Sequence, residues 1–181
     1  MKRFSFCPVC GAKLDDQPAG PDPVNVLVCP ECRFNFWQNS KPAVGVILLR
    51  AIGGKRHVLL TRRGIEPYKG FWDLPGGFLA NGELPVDGIL REIREELGVS
   101  VVNPSFFTVE MDQYNREDIA EQARFVLTLY YECTAAPDAT FVPADDVVEA
   151  TWFPLDKLPA NLAFGCNRRA LAKLSASRGA G

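Results

Sequence analysis

Apolar residues run almost unbroken through "PAVGVILLR" (42–50). A run of that length with polar flanks reads as a buried strand. A second run, "HVLLTRR" (57–63), follows across "AIGGKR", whose paired glycines signal a hairpin. "GFWDLPGGF" reads as a strand end entering a Pro-Gly-Gly turn. "VSVVNPSFFTVEMDQY" (99–114) and "ARFVLTLYYEC" (123–133) read as strands on either side of a polar loop, "NREDIAEQ". "VVEATWFPL" (147–155) is a further strand. Two stretches carry the helical period instead: residues 85–97, and "FGCNRRALAKLSA" (164–176), which reads as a closing amphipathic helix. Strands and helices interleave irregularly, which predicts an α/β fold with a mixed sheet.

The helix at 85–97 has an unusual polar side. Pro85 suits a first helical turn and Gly98 suits the position that ends a helix. With Glu92 at zero on a wheel of about 100° per residue, Val86, Ile89, Leu90, Ile93 and Leu97 fall at roughly 60–160°. Glu92, Glu95 and Glu96 fall within about 60° of zero, on a separate face. Like charges three and four apart destabilise a helix by roughly 0.2–0.5 kcal/mol per pair. A solvated acidic face is one reading. Against it, Pro85 and Gly88 share the carboxylate side, and the preceding loop "LPGGFLANGE" brings three glycines and Glu83. Clustered carboxylates beside a backbone carbonyl make a hard-oxygen site suited to Mg²⁺ or Mn²⁺.

These residues carry a resemblance. Gly77, five residues, Glu83, seven residues, then Arg91-Glu92-Ile93-Arg94-Glu95-Glu96-Leu97-Gly98-Val99 resembles the Nudix box at every specified position. The resemblance extends over most of residues 42–175 and implies the Nudix α/β/α sandwich with a mixed sheet. It implies Glu92, Glu95 and Glu96 as metal ligands, with the carbonyl of Gly76 or Gly77 assisting. Arg91 would orient Glu92 and Glu95, and Glu83 would support the metal site or help activate water. The reaction implied is hydrolysis of a nucleoside diphosphate linked to another moiety, of the ADP-ribose, NADH or FAD type. The general base is open between the box and downstream acids: Glu117, Asp118 and Glu121, or Asp145, Asp146 and Glu149.

The first 38 residues differ in kind. Cys7 and Cys10 sit in "CPVCG", and Cys29 and Cys32 in "CPECR". Two Cys-x-x-Cys turns separated by 18 residues have zinc-ribbon spacing, four thiolates for one structural Zn²⁺. The segment between them, rich in Pro, Asp and Gly, cannot build a core of its own. Residues 1–38 are therefore expected to be a zinc ribbon and 39–181 the Nudix domain. A ribbon ahead of a Nudix domain resembles the NADH pyrophosphatase branch. The further "SQPWPF"-type motif of that branch has no counterpart here, where the chain reads "SVVNPSFFTVEMDQYN".

Composition narrows the partners. A net charge of −2 over 181 residues, with Asp15, Asp16 and Asp22 against Lys13 between the knuckles, disfavours nucleic acid. No apolar run approaches the roughly 20 residues that span a bilayer. A cytoplasmic location is expected, with reduced or metal-bound cysteines. A homodimer is open to it. Arg62, Trp72 and Phe78 are candidate substrate contacts, Tyr114 is a further stacking ring, and Arg63 beside Arg62 meets either phosphates or solvent. Cys133 and Cys166 read as buried small hydrophobes. The rival reading is a Nudix-fold binding or regulatory protein with little catalysis; the intact set of box carboxylates favours the enzyme.

Overall fold

The computed structural model describes residues 5–14, 26–37, 39–114 and 124–177. Eight strands and two helices are named within them: β1 (Val26–Val28), β2 (Asn35–Trp37), β3 (Lys41–Ile52), β4 (Lys55–Arg63), β5 (Trp72–Asp73), α1 (Pro85–Leu97), β6 (Val101–Tyr114), β7 (Arg124–Ala135), β8 (Val147–Pro154) and α2 (Gly165–Ser177). Glu117, Asp118 and Glu121 lie outside the described residues, as do Asp15, Asp16, Asp22 and the side chain of Tyr114.

β3 is the centre of the larger sheet. Its first eight residues pair in parallel with β7, register Lys41 to Val126 through Leu48 to Cys133. Its last four residues pair antiparallel with β4 across the Gly53-Gly54 turn, from Leu49–Val58 to Ile52–Lys55. The hairpin expected from "AIGGKR" is thus present but short. Beyond it β4 leaves β3 and runs along β8, with β5 on its other edge. β6 closes the far side against β7.

The gap left where β4 departs is filled by the loop after β5. Val46 N–H donates to the Pro75 carbonyl at 2.8 Å and Val44 N–H to Gly77 at 2.9 Å. Leu79 N–H donates to Pro42 at 3.1 Å. The Pro-Gly-Gly loop is therefore laid against β3 like a short extra strand. Gly76 has φ 137°, and a Cβ there would sit 2.2 Å from the Val44 carbonyl oxygen. Only glycine fits that backbone approach.

Side chains alternate across β3, so it feeds both faces. Val44, Val46 and Leu48 pack with Ile89, Ile93 and Leu97 of α1. Ile47 packs with Tyr130 of β7 and with Ala170, Leu171 and Leu174 of α2. A sheet with one helix on each face is an α/β/α sandwich. α1 begins at Pro85 and stops at Gly98, whose φ of 68° turns the chain while its N–H bonds Arg94's carbonyl. The five positions assigned to the core face include the fully buried Ile89, Ile93 and Leu97.

Residues ahead of β3 form a separate two-stranded piece. Among the described residues β1 pairs only with β2, register Val26 to Trp37. β2 completes this piece and ends just ahead of the larger sheet. Its core is small: Cys7, Leu14, Leu27 and Cys29, with Ala12 and Phe36 against them.

Candidate active site

α1 and the Pro-Gly-Gly loop meet to build the site. Glu92 and Glu96 lie one turn apart on α1 and are both buried, 8% and 5% exposed, while Glu95 points outward. Gly76 N–H donates to Glu96 Oε2 at 2.9 Å. Its neighbours Pro75 and Gly77 give their carbonyls to β3, which leaves Gly76's carbonyl as the one the pairing does not take. A Cβ on Gly77 would stand 2.5 Å from Glu92 Oε1, so the missing side chain is the space the carboxylate occupies.

Arg91 is the hub of the acidic face. Its Nη1 donates to Glu92 Oε1 at 2.8 Å and to Glu95 Oε2 at 3.0 Å. Its Nε and Nη2 donate to Glu83 Oε1 and Oε2 at 2.7 and 2.8 Å, a two-pronged pair, and Nη2 also reaches Phe78's carbonyl at 3.1 Å. The bond to Glu83 is the one the spacing of the box did not reveal. Glu83 also accepts Ala80 N–H at 2.8 Å. Hydrogen bonds from Arg91, then from Ala80, hold its carboxyl down at about 2. A carboxylate so tightly ionised is a poor proton acceptor.

Glu92 and Glu96 move the other way. Burial raises Glu92, against the opposing pull of Arg91, with Glu95 and Asp146 adding repulsion. Burial raises Glu96 well above the ordinary range, and Asp146, Glu92 and Asp73 push it further. Buried carboxylates crowding one another call for a cation. Among the described residues, however, the glutamates do not close into a three-carboxylate cage with oxygens all within 4.8 Å, as the four thiols do. Glu95 is turned aside to Arg91, and would have to swing inward to join the other two.

A half-open cleft with about 690 Å³ of empty space, part of it open solvent, runs beside these carboxylates. Gly76, Gly77 and Phe78 form one wall; Arg63, Asp73, Tyr130, Asn167 and Phe164 form another; Asp146 and Asp112 sit at the edges. Of the three substrate contacts expected from sequence, Phe78 alone lines it. Arg62 points elsewhere, donating to Gly70's carbonyl at 3.2 Å and to Glu149 at 3.4 Å. Trp72 is packed edge-on to Phe153, ring centroids 4.7 Å apart, within the α2-side core. Strand alternation separates the two neighbouring arginines: the cleft receives Arg63 and not Arg62. Asp73, Asn167 and Phe164 were not singled out from sequence. An Asp before "LPGG" and an Asn early in a helix are too ordinary to attract notice. Of the downstream acids, Asp146 lines the cleft.

The four-cysteine site is better formed. Cys7 and Cys32 sulfurs lie 3.6 Å apart and Cys10 and Cys29 sulfurs 3.5 Å apart, all four within 4.8 Å. Tetrahedral thiolates about 2.3 Å from zinc stand about 3.8 Å apart, whereas a disulfide needs about 2.05 Å. The donor set and spacing therefore suit zinc. The knuckles are built alike. Gly11 N–H returns to Cys7's carbonyl and Arg33 N–H to Cys29's, at 2.9 and 3.0 Å. Burial works against Cys7's ionisation, but N–H groups of Cys10 and Val9 and the facing thiols bring it down to about 7. For Cys32, Phe34 N–H is outweighed by burial and by the other thiols, which push it up to about 12. Such mutual repulsion is what a bound dication relieves.

A mixed sheet between two helices, with a carboxylate helix seated on a Gly-Gly loop, defines a Nudix-type sandwich. The NUDIX domain family matches residues 39–174, and the chain belongs to that family. It is 27% identical over 155 residues to an NAD-capped RNA hydrolase, NudC, from Pseudomonas aeruginosa (strain LESB58). That match takes in 85% of this chain but 49% of the relative, so the chain spans about half the relative's length. It is 32% identical over 107 residues to an ADP-ribose pyrophosphatase from Methanocaldococcus jannaschii, covering 59% of each. The solved NUDIX hydrolase from Nitrosomonas europaea superposes with a TM-score of 0.76 at 28% identity, over 98% of this chain and 94% of that one. No helix among the described residues is long and apolar enough to cross a membrane.

Proposed function

We propose that the chain hydrolyses a nucleoside diphosphate linked to a second moiety, in the class of ADP-ribose and dinucleotides. The observation that carries this reading is the seating of Glu92, Glu95 and Glu96 around Arg91 and the Gly76-Gly77 loop, at the mouth of a cleft. Relatives named for hydrolysing NAD-capped RNA and ADP-ribose support the substrate class. Glu92, Glu95, Glu96 and the Gly76 carbonyl would hold Mg²⁺ or Mn²⁺; hard anionic oxygens at a partly open site suit either ion. Such ions, when bound, polarise phosphoryl oxygens and neutralise charge developing on them.

The protein's own residues divide the remaining work. Arg91 fixes two of the ligands and is itself fixed by Glu83. Asp146 borders both the cleft and the buried glutamates, and we assign it the proton of the attacking water. Cys7, Cys10, Cys29 and Cys32 hold a structural zinc, since four thiolates leave no open position for chemistry. Residues 1–38 then form the ribbon unit and 39–181 the catalytic unit, in a cytoplasmic enzyme.

The test is a phosphate-release screen coupled to an added phosphatase that cleaves the phosphomonoester products, over ADP-ribose, NADH, FAD and diadenosine polyphosphates, with Mg²⁺ and with Mn²⁺, on the wild type and Glu95→Gln. Turnover by the wild type that drops at least tenfold in Glu95→Gln is expected. Turnover equal in both would overturn the metal assignment. A wild type inert on every substrate would favour the binding protein over the enzyme.

A further inference from the structure

A chain of buried polar groups runs from the middle of the sheet to the cleft. Tyr130, fully buried on β7, donates its hydroxyl to Asn167 Oδ1 at 2.5 Å. Asn167, 4% exposed on α2, donates its Nδ2 to Asp73 Oδ1. Asp73 Oδ2 accepts Arg63 Nη1 at 3.0 Å. The direction of the chain is dictated chemically. A carboxylate only accepts, so Asn167 must turn its amide nitrogen to Asp73, which leaves its oxygen for the tyrosine hydroxyl.

Arg63 is held from three sides. Beyond Asp73, its Nε donates to Pro67's carbonyl at 2.8 Å, and the ring of Phe164 lies under the guanidinium, 5.1 Å from centroid to carbon. Its side chain is 12% exposed. Among the described residues nothing accepts from Nη2. Among the described residues lining the cleft, Arg63 is the single basic one, with Asp73, Asp112 and Asp146 as the other charges. A diphosphate in this cleft would meet a cationic donor that is already aimed.

The remote end is specifically accommodated. A Cβ on Gly45 would meet the Tyr130 ring at 2.5 Å, so β3 is hollowed where the ring crosses. Tyr130 and Asn167 back the wall of the cleft, but both are buried and each spends its polar group on the next one in the line. Their hydroxyl and amide act through the arginine.

Building on the hydrolase reading, we propose that Arg63 donates from Nη2 to an acceptor atom of the bound nucleotide, and that Asn167 and Tyr130 are positioning residues which hold it there through Asp73. The hydroxyl of Tyr130 then contributes to nucleotide affinity without touching the nucleotide.

The test is calorimetric titration of ADP-ribose into the Glu95→Gln protein, which reads binding without turnover. Arg63→Ala in that background should weaken binding by roughly tenfold or more, as expected for a charged hydrogen bond. Tyr130→Phe should weaken it roughly threefold or more with the thermal midpoint retained, and should add nothing once Arg63 is alanine. Additive losses would overturn the positioning role, because the tyrosine would then act apart from the arginine. Unchanged binding in Arg63→Ala, or no ADP-ribose binding at all, would overturn the arginine contact. If Tyr130→Phe melts early, Asn167→Ser is put through the same cycle and judged by the same outcomes. Arginine-dependent binding in a wild type that turns nothing over would keep this inference and sink the hydrolase reading; turnover with arginine-independent binding would do the reverse.

Discussion

At the scale of single residues, the site depends on which carboxyls keep their protons. Glu83 is the most firmly ionised, because it receives both prongs of Arg91 and one backbone N–H. Glu83→Gln keeps the shape but releases the arginine from one of its anchors. A roughly 10–100-fold loss in activity is expected, as for other groups that orient metal ligands. It should come with weaker Mn²⁺ binding, read by electron paramagnetic resonance, and little change in thermal midpoint. Asp73 illustrates the opposite case. Burial, opposed by Arg63, raises its carboxyl from 3.8 to about 6. Between those values the folded chain keeps a proton that the unfolded chain has released. Its contribution to stability is therefore full below about pH 4 and is lost as pH rises through about 6. Glu92 and Glu96, also raised, act with the same sign. Urea unfolding from pH 3.5 to 7 should show wild-type stability declining relative to Asp73→Asn, by an amount on the order of 2–3 kcal/mol. A parallel pair of curves would refute it.

At the scale of elements, the loop between β5 and α1 decides whether a helix with three glutamates becomes a site. Two adjacent glycines there do different jobs, and substitution should separate them. Gly76→Ala sets a methyl against Val44's carbonyl, backbone that cannot yield, at a φ that disfavours any side chain. It should lower stability markedly, by roughly 1–3 kcal/mol or more, visible as an earlier thermal midpoint. Gly77→Ala meets only the Glu92 carboxylate, which can swing away. It should leave the midpoint nearly intact and lower kcat by roughly 100-fold, the scale of a misplaced catalytic group. Equal melting losses in the two variants would contradict this division. The same elements mark what the sequence could reveal. Hydrophobic period located β3, β4, α1, β6, β7, β8 and α2 within a few residues, and box spacing located the carboxylates. Pairing was less legible, because the Gly-Gly turn could not say that β4 parts from β3 after four residues and lets the Pro-Gly-Gly loop take its place. Which of Arg62 and Arg63 enters the cleft follows from that geometry, since the face a strand residue takes is set by its partners. Asp73 and Asn167 are 94 residues apart and become neighbours only when α2 lies on the sheet.

At the scale of the whole molecule, the two units rest on different physics. The Nudix sandwich has two apolar clusters, one under each helix, and needs nothing added to hold it together. Among its described residues the N-terminal piece has two three-residue strands and a core of which two of the four buried members are cysteines. Apolar burial on that scale does not stabilise an independent fold. With zinc on its four thiolates, as proposed, its folding free energy would come largely from the ion, so metal content and folding should be one observable there and unrelated in the rest of the chain. Elemental analysis should give about one zinc per chain. Cys29→Ser should lose it, because a site short of one thiolate keeps neither the charge nor the geometry. Chelation should then make the segment around residues 11–30 the first point of limited proteolysis. The cooperative unfolding of the remainder should stay within a few degrees of the zinc-loaded protein. A zinc-free wild type that resists cleavage would show that the ribbon is held by something other than its four thiolates. A collapse of the whole chain on chelation would show instead that the two units fold as one.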